Sequence, residues 1–269
     1  MRRLISALCL SIITAAPAYA ASCGNTGSGF NAWKKEFASE AQAAGVRKAG
    51  IAALMGASYS NGTIRADRNQ KGVKYSFEDF VKIRLGSLDY FAKTARKRKA
   101  KNPSFYANLE KRYGVPAGII LAIHGMETAY GKFMWPKKAP TVVSSILTVT
   151  YDCRRSDFFE PHAIAALKMV DRGMLSPNQK GAYHGELGHT QFLPGNAMKY
   201  GVDGNGDGQV DFYNQWDALA STANFLRQKG WKPGQGYQQG EPNFRVLNEW
   251  NAATVYQKAI AASAVRIDR

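Results

Sequence analysis

Acidic residues are scarce in this chain: 20 Asp and Glu stand against 36 Lys and Arg, a formal charge of +16 over 269 residues. That balance selects polyanionic partners. In a cytosolic protein it would suggest nucleic acid, but no nucleic-acid-binding motif accompanies it. An exported chain would instead meet anionic lipid surfaces or a carboxylate-rich cell wall. Part of the charge lies in "KTARKRKAKN" (93–102), which is read as a solvated helix face with a weak steering role. Histidine is also rare. The four, His124, His162, His184 and His189, follow no metal-ligand repeat, and there is no zinc spacing, G-x-S-x-G elbow or P-loop. Long apolar runs are missing too. The stretch Leu4–Ala16 holds 13 residues, short of the roughly 20 that span a bilayer as a helix. No internal repeat or low-complexity tract occurs.

The start, "MRRLISALCLSIITAAPAYA", combines two arginines, an apolar stretch and the small-residue pattern Ala18-Tyr19-Ala20. This is the layout of a secretory signal peptide, residues 1–20, cleaved after Ala20. The expected location is the periplasm or the outside. Lipidation at Cys23 is disfavoured because Ala20 sits where a lipoprotein site carries Leu or Val. Removing 20 of the 269 residues leaves 249, enough for one large core or two small lobes. Of three cysteines Cys9 leaves with the signal, so Cys23 and Cys153 can form one pair only. A bridge there is favoured over two unpaired thiols in an oxidising compartment. It would add up to about 4–5 kcal/mol in the chain-entropy account.

Helical periodicity dominates. Phe30, Trp33, Phe37 and Ala41 share a face that stops at Gly45, and "RKAGIAALMG" reads as a second helix. The segment 57–76 is expected to be mostly loop, 77–101 one long helix, and "SFYANLEKRYG" another closed by Gly114. Pro116 suits a first helical turn. "APTVVSSILTVTYD" is β-branched and compatible with a strand by propensity, while "FFEPHAIAALKMV" after it is helical. A long turn-rich stretch covers 181–215, "WDALASTANFLRQKG" returns to helix, and "NEWNAATVYQKAIAASAVRI" reads as one last helix. The coarse result is mainly α with one long irregular segment, the kind of loop that usually serves function.

One residue asks for an explanation. Glu127 ends the apolar run "VPAGIILAIHGM", with Ile120, Ile123 and Tyr130 on its face and His124 nearby. Apolar surroundings disfavour a charged carboxylate and raise its pKa toward the range of a general acid. Its context resembles the catalytic helix of the B-type lytic murein transglycosylases, a lysozyme-like family. The resemblance continues in order along the chain. "FNAWKKEFASEAQAAGV" is similar to the family's opening helix, and Asp67-Arg68-Asn69-Gln70 to its D-R-x-Q element. "TYDCRRSDFF", "GELGHTQFLP" and "WDALASTANFLRQKGW" follow, with Asp152-Cys153 replacing a usual proline. The likeness runs from about Phe30 to about Ile260.

The resemblance implies a mainly α lysozyme-like fold, with a helical lobe at about 30–110 and a catalytic core at about 111–269. It also implies non-hydrolytic cleavage of the bond between N-acetylmuramic acid and N-acetylglucosamine in peptidoglycan. Ordinary glycosidases need two carboxylates. In this family one suffices, because the sugar's own 6-hydroxyl attacks to leave a 1,6-anhydro end. Glu127 would be acid and then base. Gln191 would hydrogen-bond an N-acetyl or hydroxyl group, and Tyr130, Trp250, Asn251 and Tyr256 would complete substrate binding. The family's serine beside the acid corresponds to Ala182, with Tyr183, His184 and His189 as possible substitutes. Glu186 adds a second acid. The competing readings are a hydrolytic muramidase and a wall-binding protein without catalysis. The partner is a glycan strand rather than nucleic acid, and a monomer is the default expectation.

The last motif is "DGNGDGQVDFYN", 203–214. Asp203, Asn205, Asp207, Gln209 (through its backbone) and Asp211 fall on ligand positions of an EF-hand loop, but Asn214 stands where a bidentate Glu is needed. No cofactor is required for the chemistry. Structural Ca²⁺ and an empty Asp/Gly turn held by Asx hydrogen bonds are both open readings.

Overall fold

The computed structural model describes residues 21–69 and 75–269. The segment 1–20, where a signal peptide is expected, and Gln70 of the D-R-x-Q element lie outside the described residues. The helices in chain order begin with α1 (Phe30–Ala43), α2 (Lys48–Gly56), α3 (Asn61–Arg68), α4 (Phe77–Leu85) and α5 (Leu88–Lys101). Next come α6 (Pro103–Tyr113), α7 (Ala117–Thr128), α8 (Val142–Tyr151), α9 (Ser156–Asp171) and α10 (Pro194–Tyr200). The chain ends with α11 (Gln215–Gln228), α12 (Phe244–Trp250) and α13 (Thr254–Asp268). Among the described residues β structure is limited to isolated bridges, such as Leu187 with Phe192.

The helix α7 is the axis of the molecule. Every residue from Ala117 to Met126 is buried, and α7 packs against α5, α6, α11 and α13. A helix apolar all round can exist in water only as such a core. Its contact with α13 is close: a Cβ at Gly118 would stand 2.5 Å from the Ala264 carbonyl oxygen. The Asp268 carboxylate accepts the Gly118 N–H at 3.0 Å, putting an anion at the positive end of the α7 dipole.

Local propensity yields to context in five places. The 142–151 run is helical although rich in Val and Thr, because every residue but Ser144 is buried. Thr148 and Thr150 also turn their hydroxyls back to the carbonyls of Ser144 (2.6 Å) and Ile146 (2.7 Å). The expected loop at 57–76 contains α3, started by the Ser60 hydroxyl accepting Thr63 N–H at 3.1 Å. The expected long helix at 77–101 breaks at Gly86, φ 73°, and Ser87 caps α5 through Tyr90 N–H at 3.1 Å. The irregular 181–215 stretch includes α10, opened by Pro194. The last helix divides into α12 and α13 around Asn251, whose side chain accepts Ala253 N–H at 3.0 Å.

The hydrophobic core is continuous from Phe30 to Ile267 and crosses the expected lobe division near residue 110. A disulfide joins Cys23 to Cys153. Beside it, Gly24 N–H donates to the Tyr151 carbonyl at 2.9 Å, tying the segment before α1 to the end of α8.

Candidate active site

Glu127 lies one residue before the end of α7, half-buried on the wall of a cavity of about 300 Å³. One carboxylate oxygen, Oε1, accepts two side-chain donors: the Trp250 indole N–H at 3.0 Å and the Tyr256 hydroxyl at 2.7 Å. Trp250 ends α12 and Tyr256 lies on α13, so the kink at Asn251 brings both onto one oxygen. Neither donor reaches the other oxygen. Burial raises the Glu127 pKa and outweighs the bonds from Tyr256 and Trp250 and the charge of Arg84, which favour ionisation; the charge of Glu186 raises it further. Burial and the adjacent carboxylate push the Tyr256 hydroxyl well above its usual value, so it remains a donor at any ordinary pH.

The 185–193 turn supplies four more residues of the lining, Glu186, Gln191, Phe192 and Leu193. Leu187 and Phe192 exchange backbone bonds at 2.9 and 3.0 Å, and Gly188 (φ 74°) admits no side chain, since a Cβ would stand 2.1 Å from the Phe212 carbonyl oxygen. Glu186 and Gln191 thereby line the cavity with Glu127. The Gln191 amide N–H groups donate to the carbonyls of Met134 (3.1 Å) and Gly188 (2.9 Å), leaving its carbonyl oxygen as an acceptor. Thr128 joins the walls. Its hydroxyl donates to the His189 carbonyl at 2.7 Å and accepts Gly131 N–H at 3.0 Å.

Backbone strain collects here as well. Among the described residues the non-glycine residues at positive φ are Ala129 (48°), Tyr130 (62°) and Gln191 (55°). Gln191 lines the cavity and the other two form the turn that follows α7 just after Glu127, a place where strain of this kind is typically kept for function.

Residues 29–241 match the transglycosylase SLT domain. The chain belongs to the SLT transglycosylase family. Membrane-bound lytic murein transglycosylase B of Escherichia coli is 32% identical over 140 residues, covering 49% of this chain and 38% of that protein. The match therefore spans well under half of that relative's length. SltB3 of Pseudomonas aeruginosa, solved in complex with NAG-NAM-pentapeptide, is 26% identical with a TM-score of 0.80, over 90% of this chain and 80% of that chain. Escherichia coli Slt35, solved in complex with calcium, shares the fold at 19% identity and a TM-score of 0.74, over 87% and 92% of the two chains.

Within this SLT transglycosylase the expected site residues are only partly brought together. Glu127, Gln191, Trp250 and Asn251 line one cavity. Tyr256 is buried beneath Glu127 and bonds to it. Tyr130 is a correction. Its ring packs on Phe91 and His124 under the Arg98 guanidinium, 4.4 Å away, and lies outside the cavity lining. The left-handed turn after Thr128 swings it off the helical face that periodicity assigned. Ala182 needs no substitute from Tyr183, His184 or His189, because the donors to Glu127 come from α12 and α13; His189 instead meets His124 at 3.0 Å. Phe192, Phe225 and Glu249 also line the cavity, and the 185–193 motif itself could have pointed to Phe192.

The D-R and D-C-R-R elements of the family resemblance form one ion-pair lattice. Asp67 takes Arg154 and Arg155, and Arg68 reaches Asp152 at 2.6 Å. Both aspartates are buried, where a charge must be paired.

In the 203–217 loop the carboxylates of Asp203, Asp207 and Asp217 lie within 4.8 Å of one another. Asp211 is not in that group, and its carboxylate accepts Tyr213 N–H at 2.8 Å. Asn205 accepts Asp207 N–H at 3.0 Å. Asn214 caps α11 through Trp216 N–H at 3.0 Å. The third carboxylate is Asp217, fully buried and on α11, beyond the 203–214 motif. Three oxygen ligands, one of them a buried anion, suit a hard cation such as Ca²⁺.

Proposed function

We propose that this chain is a peptidoglycan lytic transglycosylase. It cleaves the β-1,4 bond between N-acetylmuramic acid and N-acetylglucosamine without water and leaves 1,6-anhydro ends. The observation that carries this reading is Glu127 on the lining of one cavity with Gln191, one of its oxygens pinned by Trp250 and Tyr256. The raised pKa keeps the acid form available to protonate the leaving oxygen. Once ionised, the same carboxylate is held by its two donors and can take the proton of the 6-hydroxyl as that oxygen closes on the anomeric carbon. One residue thus serves both half-reactions, and the substrate provides the nucleophile.

The Gln191 carbonyl oxygen suits the N–H of an N-acetyl group or a sugar hydroxyl, and Asn251 offers a second polar contact on the lining. The SltB3 complexes with NAG-NAM-pentapeptide and NAG-anhNAM-pentapeptide support substrate and product of this class. The basic charge and the 1–20 leader pattern fit an exported enzyme meeting the wall. We further infer that Asp203, Asp207 and Asp217 hold Ca²⁺ as a structural ion, remote from the chemistry.

Purified mature protein incubated with peptidoglycan is expected to release muropeptides ending in anhydro-muramic acid, identified by mass spectrometry. Glu127→Gln is expected to abolish them while sedimenting with insoluble peptidoglycan as the wild type does. Equal release by that variant would remove Glu127 from the mechanism, and no release by the wild type would favour a wall-binding protein.

A further inference from the structure

Glu186 is the acid for which a single-carboxylate mechanism has no use. It lines the same cavity as Glu127, near enough for its charge to bear on Glu127. It is also supported from behind. Its Oε2 accepts His184 N–H at 3.0 Å, and its Oε1 lies 3.4 Å from His184 Nδ1. The other ring nitrogen of His184 faces Asp67 at 3.4 Å, and Asp67 is held by Arg154 and Arg155. The imidazole stacks flat on Phe159, with 6° between the ring planes. A surface glutamate at a turn has no need of such a lattice. Two carboxylates on one cavity are the pair of groups that hydrolysis of a glycoside ordinarily uses.

We propose that Glu186 is a general base for a water molecule that competes with the 6-hydroxyl, so that this chain releases reducing as well as anhydro ends. The proposal rests on Glu127 being the acid. In the hydrolytic branch Glu127 gives its proton to the leaving N-acetylglucosamine oxygen as that oxygen's bond to the muramic acid C1 breaks. The water oxygen bonds to C1 and the water proton passes to Glu186. In the cyclising branch the 6-hydroxyl oxygen bonds to C1 and its proton returns to Glu127. Bulk solvent resets the two carboxyls after hydrolysis. His184 is a positioning residue for Glu186.

The test uses glycan strands reduced beforehand with borohydride, so that every pre-existing reducing end is an alditol, and the anhydro ends already present are subtracted from an enzyme-free control. New ends are then counted by mass, the anhydro form being one water lighter than the reducing form. The wild type is expected to yield both kinds. In Glu186→Gln the reducing share of new ends should fall at least tenfold, whichever way total release moves, because the amide can still accept His184 N–H but cannot take a proton. His184→Ala should lower the same share by a smaller factor, a change of ratio that mere loss of fold would not produce. Only anhydro ends from the wild type, or an unchanged share in Glu186→Gln, would overturn the proposal. No new ends of either kind from the wild type would instead sink the transglycosylase reading itself.

Discussion

Glu127 and Asp217 are both acids at the edge of a core, and they are solvated in opposite ways. Asp217 receives backbone donors on both oxygens: Gly204 N–H at 2.9 Å and Asn205 N–H at 3.3 Å on one, Asp211 N–H at 2.8 Å on the other. Its neighbour Asp203 is treated alike, and the N–H groups of Gly208 and Gly206 hold its pKa below the ordinary carboxylate range. Glu127 receives two side-chain donors on a single oxygen, and burial outweighs them. A carboxylate with both oxygens satisfied is a structural anion. One with an oxygen left over is an acid waiting for a partner.

The largest effects should come from the same change made in both places. Glu127→Gln removes the transferable proton and should reduce product release about a thousandfold, in line with general acid–base contributions, with no loss of thermal stability. Asp217→Asn should do the reverse. Losing a charged acceptor for three backbone donors costs about 3 kcal/mol, a fall of about 6–12 °C in melting temperature for a chain of this size, while the folded fraction still yields anhydro ends. Muropeptide analysis and calorimetry on the two variants check this. A stable Asp217→Asn or an active Glu127→Gln would break the contrast.

Next in size is the response to pH, where the two acids should differ in sign. Glu127 holds its proton more tightly folded than unfolded, so its stabilising share is complete below the ordinary value of 4.5 and is lost as pH rises through the folded value. Glu127→Gln should therefore melt at or above the wild type at pH 7, with the difference vanishing near pH 4. Asp203 has the lowered value, so its share is present above 3.8 and lost on acidification. Asp203→Asn should melt below the wild type at neutral pH and converge with it only in acid. Melting curves from pH 3 to 8 would show crossing trends; parallel trends would refute the assignment.

Activity gives a finer reading. Tyr256→Phe deletes a bond that favours the ionised form of Glu127, so the alkaline limb of kcat/KM should move to higher pH. A shift to lower pH would mean that Tyr256 serves the protonated form instead.

Much of this contrast was legible in the sequence, but unequally. Glu127 stood out because an acid on an all-apolar helix is physically improbable, and α7 followed from the same run. The donors to Glu127 were harder to read. Trp250 and Tyr256 were visible as aromatics at the site, but their convergence on one oxygen depends on the Asn251 kink, which hides inside a continuous helical pattern. Periodicity misplaces Tyr130, because the helical spacing continues two residues past the end of α7 into a left-handed turn that non-glycine residues seldom adopt. The Asp67–Arg154 pair spans 87 residues, a contact set by the fold rather than by spacing. In the acidic loop the spacing of the twelve-residue motif ends at Asn214, and Asp217 joins the group only because α11 packs back on the loop.

The smallest effect concerns the cation. The carboxylates of Asp203 and Asp207 already accept backbone N–H groups within the loop, from Gly206 at 2.6 Å, Gly208 at 2.8 Å and Gln209 at 2.9 Å. An ion would thus join a turn that is well bonded in its own right. With Asn214 capping α11 instead of supplying a bidentate carboxylate, affinity should be weak, and weak binding stabilises only by mass action. Adding 5 mM Ca²⁺ to EDTA-treated protein should raise the melting temperature by about 2–4 °C, the response to about 1 kcal/mol in a chain of this size. The rise should disappear in Asp217→Asn, with anhydro product ratios the same in both buffers. An equal rise in Asp217→Asn would locate the ion elsewhere, and a changed product ratio would bring the cation into the chemistry that the geometry assigns to Glu127.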